Sequence, residues 1–303
     1  MSPIGLGTDL AISVRGPAAH TGIVSLKATH GRVPMTGIWP REPRRFWHVG
    51  PMARSIRDLS LAFAQLAGPD GQDGYSSSAI PLDNGIVNTN ACPLRVGWLV
   101  EPGFGPIDRE TAATVQAAAA ALKDFGHTVE SVRIPALERD FALDVFSRLH
   151  VLEMKPGFVK STAGRSEAEI GAMARFMLSL PDTAAANYID AAQAAERLKD
   201  GYAEYFQKYD VLLTPVLPTP SFKHGQPELV INGQTVNIMG IMSATTPLSV
   251  TGLPGVSMRF GTSHDGMPIG VQIVGSWHAE STILHVASLL EQVSPVQGLH
   301  PKL

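Results

Sequence analysis

The order of segments between residues 95 and 134 restricts the fold more than any other feature of this chain. A short apolar run, Arg95–Val100, precedes an amphipathic stretch from about Asp108 to Phe125, which Gly126 closes. His127–Ile134 then alternates in polarity, as a strand with one exposed face does. A strand, a helix and a strand in this order predict an α/β architecture, with helices covering a sheet.

A second helix is predicted over Ser55–Ala67. Ser55 and Asp58 have the spacing of a capping box, and Gly68 ends the segment. Four apolar residues at helical spacing predict the face that packs on the core. These are Ile56, Leu59, Phe63 and Leu66.

The rest of the chain fits one α/β domain over residues 1–303. Residues 68–90, rich in Gly, Asp, Ser and Pro, are expected to be a long surface loop rather than a domain linker. Residues 137–209 read as mostly helical, with breaks near Pro156 and Pro181. The other predicted elements are a buried strand at Asp210–Pro215, a hairpin of Val256–Phe260 and Ile269–Val274, and a last helix at Ala279–Gln292.

Charge and composition exclude several classes of partner. The net charge is −3 and the isoelectric point is about 6.4, so there is no basic footprint for a nucleic acid. Basic residues gather only in Arg41–Arg45, which is short and contains Glu42. Cys92 is the only cysteine, so no intrachain disulfide can form, and the histidines lack metal-ligand spacing. We therefore expect no nucleic acid partner and no metal.

Membrane and export signals are also missing from the sequence. The first residues, Met1–Gly5, carry no basic segment followed by a long apolar run, so they do not resemble a signal peptide. Gly, Pro and charged residues interrupt every apolar stretch before it reaches the roughly 20 residues that span a bilayer. The expectation is a cytoplasmic protein with no membrane contact.

Several motifs recur in a fixed order along the chain. They are Gly7–Ala18 (G-T-D-L-A-I-S-V-R-G-P-A), Thr21–Val33, Gly50–Leu59 (G-P-M-A-R-S-I-R-D-L), Leu66–Asp70, Asp210–Pro218, Thr246-Pro247, Thr251–Pro254 and Asp265–Gly275. By these stretches the chain resembles the amidase signature family over residues 5–292. The resemblance implies the amidase signature fold, a mixed twisted β-sheet flanked by helices, and hydrolysis of carboxamide C–N bonds without a cofactor.

The same resemblance assigns roles in the first segment. Ser13 matches the nucleophile, and residues 10–12 (Leu10, Ala11 and Ile12) match the turn whose N–H groups stabilise the oxyanion. Thr8, Asp9 and Arg15 match supporting residues. From the residues alone, Ser13 also fits an ordinary structural serine, Thr8 and Asp9 fit turn hydrogen bonding, and Arg15 fits a simple ion pair.

The sequence departs from the family pattern in two ways. The family's catalytic Lys and bridging Ser, which complete a Ser–Ser–Lys relay, both precede the G-T-D segment, and only six residues precede Gly7 here. The chain is therefore expected to be a truncated domain, incomplete at its N-terminus. In addition, Ala11 and Ile12 replace two glycines, and a β-branched Ile12 is expected to resist unusual backbone angles and to crowd the oxyanion site.

Two other residues are candidate bases for Ser13. Lys27 is the nearest lysine, and a desolvated lysine can accept a proton, but the resemblance gives it no such role. His20 lies seven residues after Ser13, so a Ser–His pair is conceivable, although a structural histidine is the preferred interpretation.

Three functions remain open at this level. The first is an amidase-type hydrolase that acts on a small-molecule amide and is impaired as the chain stands. The second is a non-catalytic remnant or binding module on the same scaffold. The third is the glutaminase-type subunit of a tRNA-dependent amidotransferase, for which Ile38–His48 gives no support. An uncovered sheet further predicts a homo-oligomer or poor solubility.

Overall fold

A mixed sheet of eight strands forms the centre of the protein in a computed structural model, which describes residues 2–76, 93–182 and 184–299. A separate pair of strands forms a small antiparallel hairpin. In chain order the strands are β1 (Ile4–Asp9), β2 (Val24–Lys27), β3 (His48–Ala53), β4 (Arg95–Trp98), β5 (Thr128–Ser131), β6 (Val211–Pro215), β7 (Glu228–Ile231), β8 (Gln234–Asn237), β9 (Gly255–Thr262) and β10 (Pro268–Gly275).

The strand order explains how distant segments meet. The sheet runs β1-β3-β2-β9-β10-β6-β4-β5, so β1 lies at one edge and β5 at the other. β4 pairs in parallel with both β5 and β6, and the remaining pairs are antiparallel. This confirms the predicted mixed α/β sheet. Its parallel pairs include β4 and β5, the two strands of the predicted strand–helix–strand unit.

Helices cover both faces of this sheet. Successive residues of β6 point to opposite faces, so Leu212 joins one core cluster while Val211 and Leu213 join the other. The second cluster includes apolar residues of α2, α3 and α9, and the first includes those of α4, α5, α7 and α8. The helices are α1 (Arg15–Thr21), α2 (Ile56–Leu66), α3 (Arg109–Asp124), α4 (Pro135–Arg139), α5 (Ala142–Thr162), α6 (Ala172–Ser179), α7 (Ala185–Lys208), α8 (Thr246–Thr251) and α9 (Glu280–Val293).

Local signals fix the ends of the predicted helices. The hydroxyl of Ser55 accepts a hydrogen bond from the N–H of Asp58 at 3.1 Å, so α2 begins where the capping pattern placed it. The carboxylate of Asp108 accepts from the N–H of Glu110 at 2.8 Å and caps α3 in the same way. Gly126 follows α3 with a φ of +87°, a left-handed conformation that favours glycine.

One expectation about local structure is wrong, and part of another lies outside the described residues. The predicted break near Pro156 is wrong, because α5 continues through this residue. Pro156 is exposed, while Val151, Met154 and Phe158 on either side are buried, so packing of that face outweighs the cost of a proline inside the helix. Of the predicted loop 68–90, residues 77–90 lie outside the described residues.

The C-terminal hairpin and last helix agree with their predictions. β9 and β10 pair antiparallel across a loop that includes Asp265-Gly266, and Gly266 has a φ of +80°. The α9 helix begins and ends within one residue of the predicted bounds. Within the described ranges, every helix is too short or too polar to span a lipid bilayer. The single-domain assignment stays a prediction.

Candidate active site

The turn between β1 and α1 holds the predicted nucleophile. β1 ends at Asp9 and α1 begins at Arg15, which leaves residues 10–14 as a short connection. Ser13 is exposed in this turn, whereas Ala11, Val14 and Arg15 around it are buried. In the part of the chain that the structure describes, the Ser13 hydroxyl makes no hydrogen bond. The serine is therefore presented to solvent by an otherwise anchored segment.

A buried ion pair fixes both ends of this turn. The guanidinium of Arg15 donates from Nε to Oδ2 of Asp9 and from Nη2 to Oδ1, each at 3.0 Å. Both side chains are fully buried. Oδ2 of Asp9 also accepts from the backbone N–H groups of Val14 at 3.1 Å and Arg15 at 3.4 Å. The last residue of β1 is thus bonded to the first turn of α1.

Electrostatics favour the charged form of this pair. Burial alone raises the pKa of the Asp9 carboxyl, because a low-dielectric interior disfavours a charge. The positive charge and hydrogen bonds of Arg15, with the Val14 N–H, outweigh burial, so the pKa of Asp9 lies below its usual value. Asp9 is therefore ionised at neutral pH and serves as an anchor rather than as a proton donor.

Arg15 also connects the turn to distant parts of the chain. Its Nη1 donates to the carbonyl of Thr245 at 2.7 Å and to Oε1 of Gln272 at 3.2 Å. Its Nη2 donates to the carbonyl of Ala11 and to the hydroxyl of Ser249, both at 2.9 Å. The guanidinium therefore binds the turn itself, the start of α8 and the strand β10, which fixes where the turn lies over the sheet.

The predicted oxyanion residues have free donors. In residues 2–76, 93–182 and 184–299, the backbone N–H groups of residues 10–13 donate to no protein acceptor. Donors of this kind, grouped beside a nucleophile, are what an oxyanion hole requires. Arg15 holds the Ala11 carbonyl, so the peptide that carries the Ile12 N–H cannot easily rotate away.

Ile12 avoids the left-handed backbone conformation that a β-branched residue resists, and its crowding of the oxyanion site stays a prediction. Among the described residues other than glycine, positive φ angles occur only at Asn232 and His278, so the φ of Ile12 is not positive. Its side chain packs over Gly16, where an added Cβ would lie 2.6 Å from Cγ1 of Ile12. Gly16, in the first turn of α1, therefore leaves the space that the Ile12 side chain occupies.

Thr8 is not joined to this network. It lies in β1 opposite Val49 and is half-buried. Its hydroxyl forms no hydrogen bond with the described residues, whereas Asp9, Ala11 and Arg15 are linked directly. Of the three supporting residues that the resemblance implied, the structure thus brings two into contact with the turn.

Lys27 has a partner other than Ser13. It is fully buried at the end of β2, and its Nζ lies 3.1 Å from Nε2 of His48 and 3.3 Å from the carbonyl of Ala28. Nδ1 of His48 lies 2.8 Å from the carbonyl of Phe46. Because Nδ1 donates to that carbonyl, Nε2 is left as the acceptor for the lysine.

Burial dominates the acid–base properties of this pair. It lowers the pKa of Lys27 well below the usual value, with a further contribution from the charge of Arg15, while Asp9 and Glu280 act in the opposite direction. Burial and the neighbouring Lys27 likewise hold the pKa of His48 well below its usual range. The sequence did not indicate His48, although β1–β3 pairing places it directly opposite Asp9.

The conceivable pair of Ser13 with His20 is absent. His20 instead lies with Nδ1 at 2.8 Å from the hydroxyl of Ser221, in the segment after β6. Its ring also contacts Phe222 edge-on, with ring centroids 5.6 Å apart. His20 is therefore a structural histidine that ties the end of α1 to another loop.

Over the described ranges, no cluster of three or more His, Cys, Asp or Glu side chains could hold a metal ion. Residues that sequence reasoning missed include Gln272 and Ser249. Both lie in or near the motif stretches, but nothing in the sequence showed that they meet Arg15 across more than 230 residues. The site is therefore made of a serine, backbone donors and a buried charge network.

The fold and this turn together define an α/β protein with an exposed serine in an anchored turn. Comparison with known proteins gives its family. The Amidase family profile matches residues 1–284, so the chain belongs to the amidase family. The chain is 30% identical over 327 aligned residues to a glutamyl-tRNA(Gln) amidotransferase subunit from Bdellovibrio bacteriovorus, covering 98% of this chain and 65% of that protein. It thus spans just under two thirds of that relative's length.

Solved structures show the same relationship. A 6-aminohexanoate cyclic dimer hydrolase complexed with substrate superposes with a TM-score of 0.86 at 27% identity, over 99% of this chain and 66% of the other. A crystal structure of an amidase gives a TM-score of 0.81 at 26% identity, over 96% and 63% of the two chains. The amidase signature fold expected from the motifs is confirmed.

Proposed function

We propose that this chain carries the nucleophile of an amidase-type hydrolase, with Ser13 attacking a carboxamide. The observation that carries this proposal is the exposure of Ser13 in a turn that the Asp9–Arg15 pair anchors. Free backbone N–H groups in residues 10–13 support it, because acyl transfer needs donors for the oxyanion beside the nucleophile. Family membership supports the same chemistry.

The proposed reaction has three steps. The hydroxyl oxygen of Ser13 bonds to the carbonyl carbon, and its proton passes to a base while the N–H groups hold the oxyanion. The C–N bond then breaks, and ammonia or an amine leaves with that proton. Water hydrolyses the resulting ester to a carboxylic acid and restores the serine.

The base is the component that the described residues do not supply. Lys27 is bonded to His48 and His20 to Ser221, so neither accepts the proton of Ser13. We propose that the acceptor is the Lys–Ser relay that the family resemblance implies, contributed from outside the described residues. Turnover by this chain alone is accordingly expected to be slow.

Hydrolysis assays test the proposal directly. Release of ammonia or amine from a panel of carboxamides should be measurable above the buffer rate and should disappear in Ser13→Ala. A matched control is Ser179→Ala, which removes another exposed serine, whose hydroxyl donates to the carbonyl of Phe176. Equal rates in the parent chain and in Ser13→Ala would contradict the proposal and favour a non-catalytic remnant.

A second candidate function is the glutaminase component of a tRNA-dependent amidotransferase. The observation that favours it is the 30% identity to a subunit of a glutamyl-tRNA(Gln) amidotransferase. This candidate predicts glutamine as the substrate and a requirement for partner subunits. Adding glutamine to the chain, with and without the other subunits of such an enzyme, tests it. Hydrolysis of simple amides in preference to glutamine under both conditions would exclude it.

A further inference from the structure

A cavity of about 270 Å³ lies at the end of the central sheet away from Ser13. It is bordered by the start of β2, the residues after β3, the middle of β9 and the end of α9. The Ser13 turn follows Asp9, whereas Arg54 of the cavity follows Ala53, which pairs with Ile4 at the other end of β1. The length of β1, about 17 Å for its 6 residues, separates the cavity from the proposed nucleophile.

Three charged side chains line this cavity, namely Arg54, Arg259 and Glu291. Arg54 is exposed, and in residues 2–76, 93–182 and 184–299 it makes no hydrogen bond or ion pair. An arginine without a partner has all its N–H donors available to a ligand. Arg54 therefore offers the cavity an unneutralised positive charge.

Arg259 has only neutral partners. Its Nε donates to the carbonyl of Gly261 at 3.3 Å and its Nη2 to the hydroxyl of Thr262 at 2.7 Å. Among the described residues, its guanidinium forms no ion pair with a carboxylate. Burial lowers the pKa of Arg259. This half-buried cation therefore lacks a counter-ion.

The side chain of Arg259 is held in place by the backbone at the end of α1. An added Cβ at Gly22 would lie 3.1 Å from Cδ of Arg259 and 3.3 Å from Cγ of Pro268. The arginine stem therefore passes directly over Gly22, which has a φ of +75°. Because the stem is confined there, the guanidinium is positioned at the cavity before a ligand binds.

Glu291 is the acid of the lining, and it already has a partner. Its Oε1 accepts a hydrogen bond from the N–H of Ile56 at 2.8 Å. Burial raises the pKa of this carboxyl, and the charge of Asp58 adds to that effect, whereas the bond to Ile56 opposes it. Two guanidinium groups and one carboxylate leave the lining positive overall, and a single anionic group balances that excess.

Apolar side chains form another part of the lining. They come from neighbouring strands and from the segment after α9, and they are Val24, Met258 and Val296. Apolar groups of a ligand gain free energy when such side chains remove them from water. The volume suits a small organic molecule rather than a peptide or a nucleic acid.

We propose that this cavity binds small monocarboxylates that carry an apolar chain. The carboxylate pairs with Arg54 and Arg259, because a guanidinium presents parallel N–H groups that match the two carboxylate oxygens. The chain contacts the apolar part of the lining. A phosphate dianion brings more negative charge than the lining balances, and a neutral amide leaves both arginines unpaired. The site does not depend on the proposed role of Ser13.

Equilibrium binding to the full chain tests the proposal. Calorimetry or nuclear magnetic resonance titration at neutral pH gives the Kd of hexanoate, hexanamide, acetate, phosphate and leucine. We expect hexanoate to bind about ten times or more tightly than hexanamide, which lacks the charge, and than acetate, which lacks the chain. Phosphate and leucine should bind more weakly than hexanoate.

Variants locate the binding. Arg54→Met and Arg259→Met should each raise the Kd of hexanoate about tenfold. Arg54 is exposed and without partners, so its replacement leaves the fold intact. Arg57→Met is the matched control, since Arg57 is another exposed arginine three residues further on that does not line the cavity. It should leave the Kd unchanged, as should Ser13→Ala.

Several results would overturn the proposal. They are hexanamide, phosphate or leucine binding as tightly as hexanoate, Arg57→Met weakening binding as much as Arg54→Met, and the absence of saturable hexanoate binding in the millimolar range. A higher Kd of hexanoate in Ser13→Ala, with no change in Arg54→Met, would place the ligand at the Ser13 turn and also contradict the proposal. An unreactive Ser13 would refute the catalytic proposal alone.

Discussion

Arg15 and Asp9 form a bidentate ion pair that is completely buried, and it closes the turn on both sides of Ser13. Each charge is expensive to bury alone, so the two residues depend on each other. The same guanidinium holds the carbonyl of Ala11 and reaches Gln272 in β10. Stability and the position of the nucleophile are thus coupled through one side chain.

Removal of one partner should therefore be costly. Arg15→Met leaves the Asp9 carboxylate buried without a counter-ion, and we expect the free energy of unfolding to fall by about 3–5 kcal/mol in urea denaturation. Arg133→Met is the control, because the Arg133–Glu138 pair lies at the surface, where solvent screens the attraction, and its loss should leave the free energy of unfolding nearly unchanged. A loss of similar size in both variants would contradict the assigned role of Arg15.

Acid should weaken the fold through Asp73. Burial raises the pKa of this carboxyl, but the ion pair with Arg44 and the N–H groups of Tyr75 and Met35 outweigh burial and lower the pKa from 3.8 to about 2. A carboxyl with a depressed folded pKa stabilises the protein above its unfolded pKa, and this stabilisation is lost as the pH falls towards the folded pKa.

The expected result is a stability difference confined to acid. Between about pH 4 and pH 2, the parent chain should lose up to about 2 kcal/mol more than Asp73→Asn, which cannot titrate. Denaturation at a series of pH values measures this. If the free energies of unfolding of the two proteins changed in parallel over that range, the pKa of Asp73 would not be lowered in the folded protein.

The absence of a side chain at Gly16 should stabilise the protein, because the Ile12 side chain packs there. A methyl group at position 16 would lie 2.6 Å from Cγ1 of Ile12, so Gly16→Ala is expected to cost about 1–3 kcal/mol. The double change Ile12→Ala with Gly16→Ala should recover most of that loss. Gly157→Ala in α5, where an added Cβ meets nothing within 4 Å, should be neutral or stabilising. No recovery in the double variant would refute this packing.

The β1 edge should drive association. Ile4 and Leu6 are 39% and 61% exposed on this edge strand, which carries no lysine or proline to block pairing. We expect the chain to self-associate and Leu6→Lys to shift it towards monomer in sedimentation velocity. Val230→Lys, on the separate β7–β8 hairpin, is the control and should change nothing. A monomeric parent chain at high concentration would contradict this prediction.

Local sequence signals predicted much of the fold. A capping box and apolar spacing predicted α2 closely, Gly126 predicted the end of α3, and a turn with Asp265-Gly266 predicted the β9–β10 hairpin. The β1 and β2 strands were not assigned, because they are short and their partners lie far along the chain. The continuation of α5 through Pro156 was missed because it depends on the packing of the opposite face of that helix.

The sequence predicted which residues form the turn around Ser13 but not which distant residues contact them. The motif indicated Ser13, Asp9 and Arg15 as neighbours, since they lie within seven residues. The pairing of Lys27 with His48 could not be read from the sequence, because it requires β2 and β3 to be adjacent. Likewise, only the folded chain shows that Leu10 borders α5 and α6.

The central claim is that Ser13 is a nucleophile in an anchored turn. Its most direct test is labelling of the folded chain with a fluorophosphonate probe, followed by mass spectrometry of the modified peptide. Ser221→Ala is the control, because Ser221 is a serine that lies beside a histidine. The account predicts modification of Ser13 well above the rate in denatured protein, unchanged by Ser221→Ala. Labelling of Ser13 no faster than in denatured protein would contradict it.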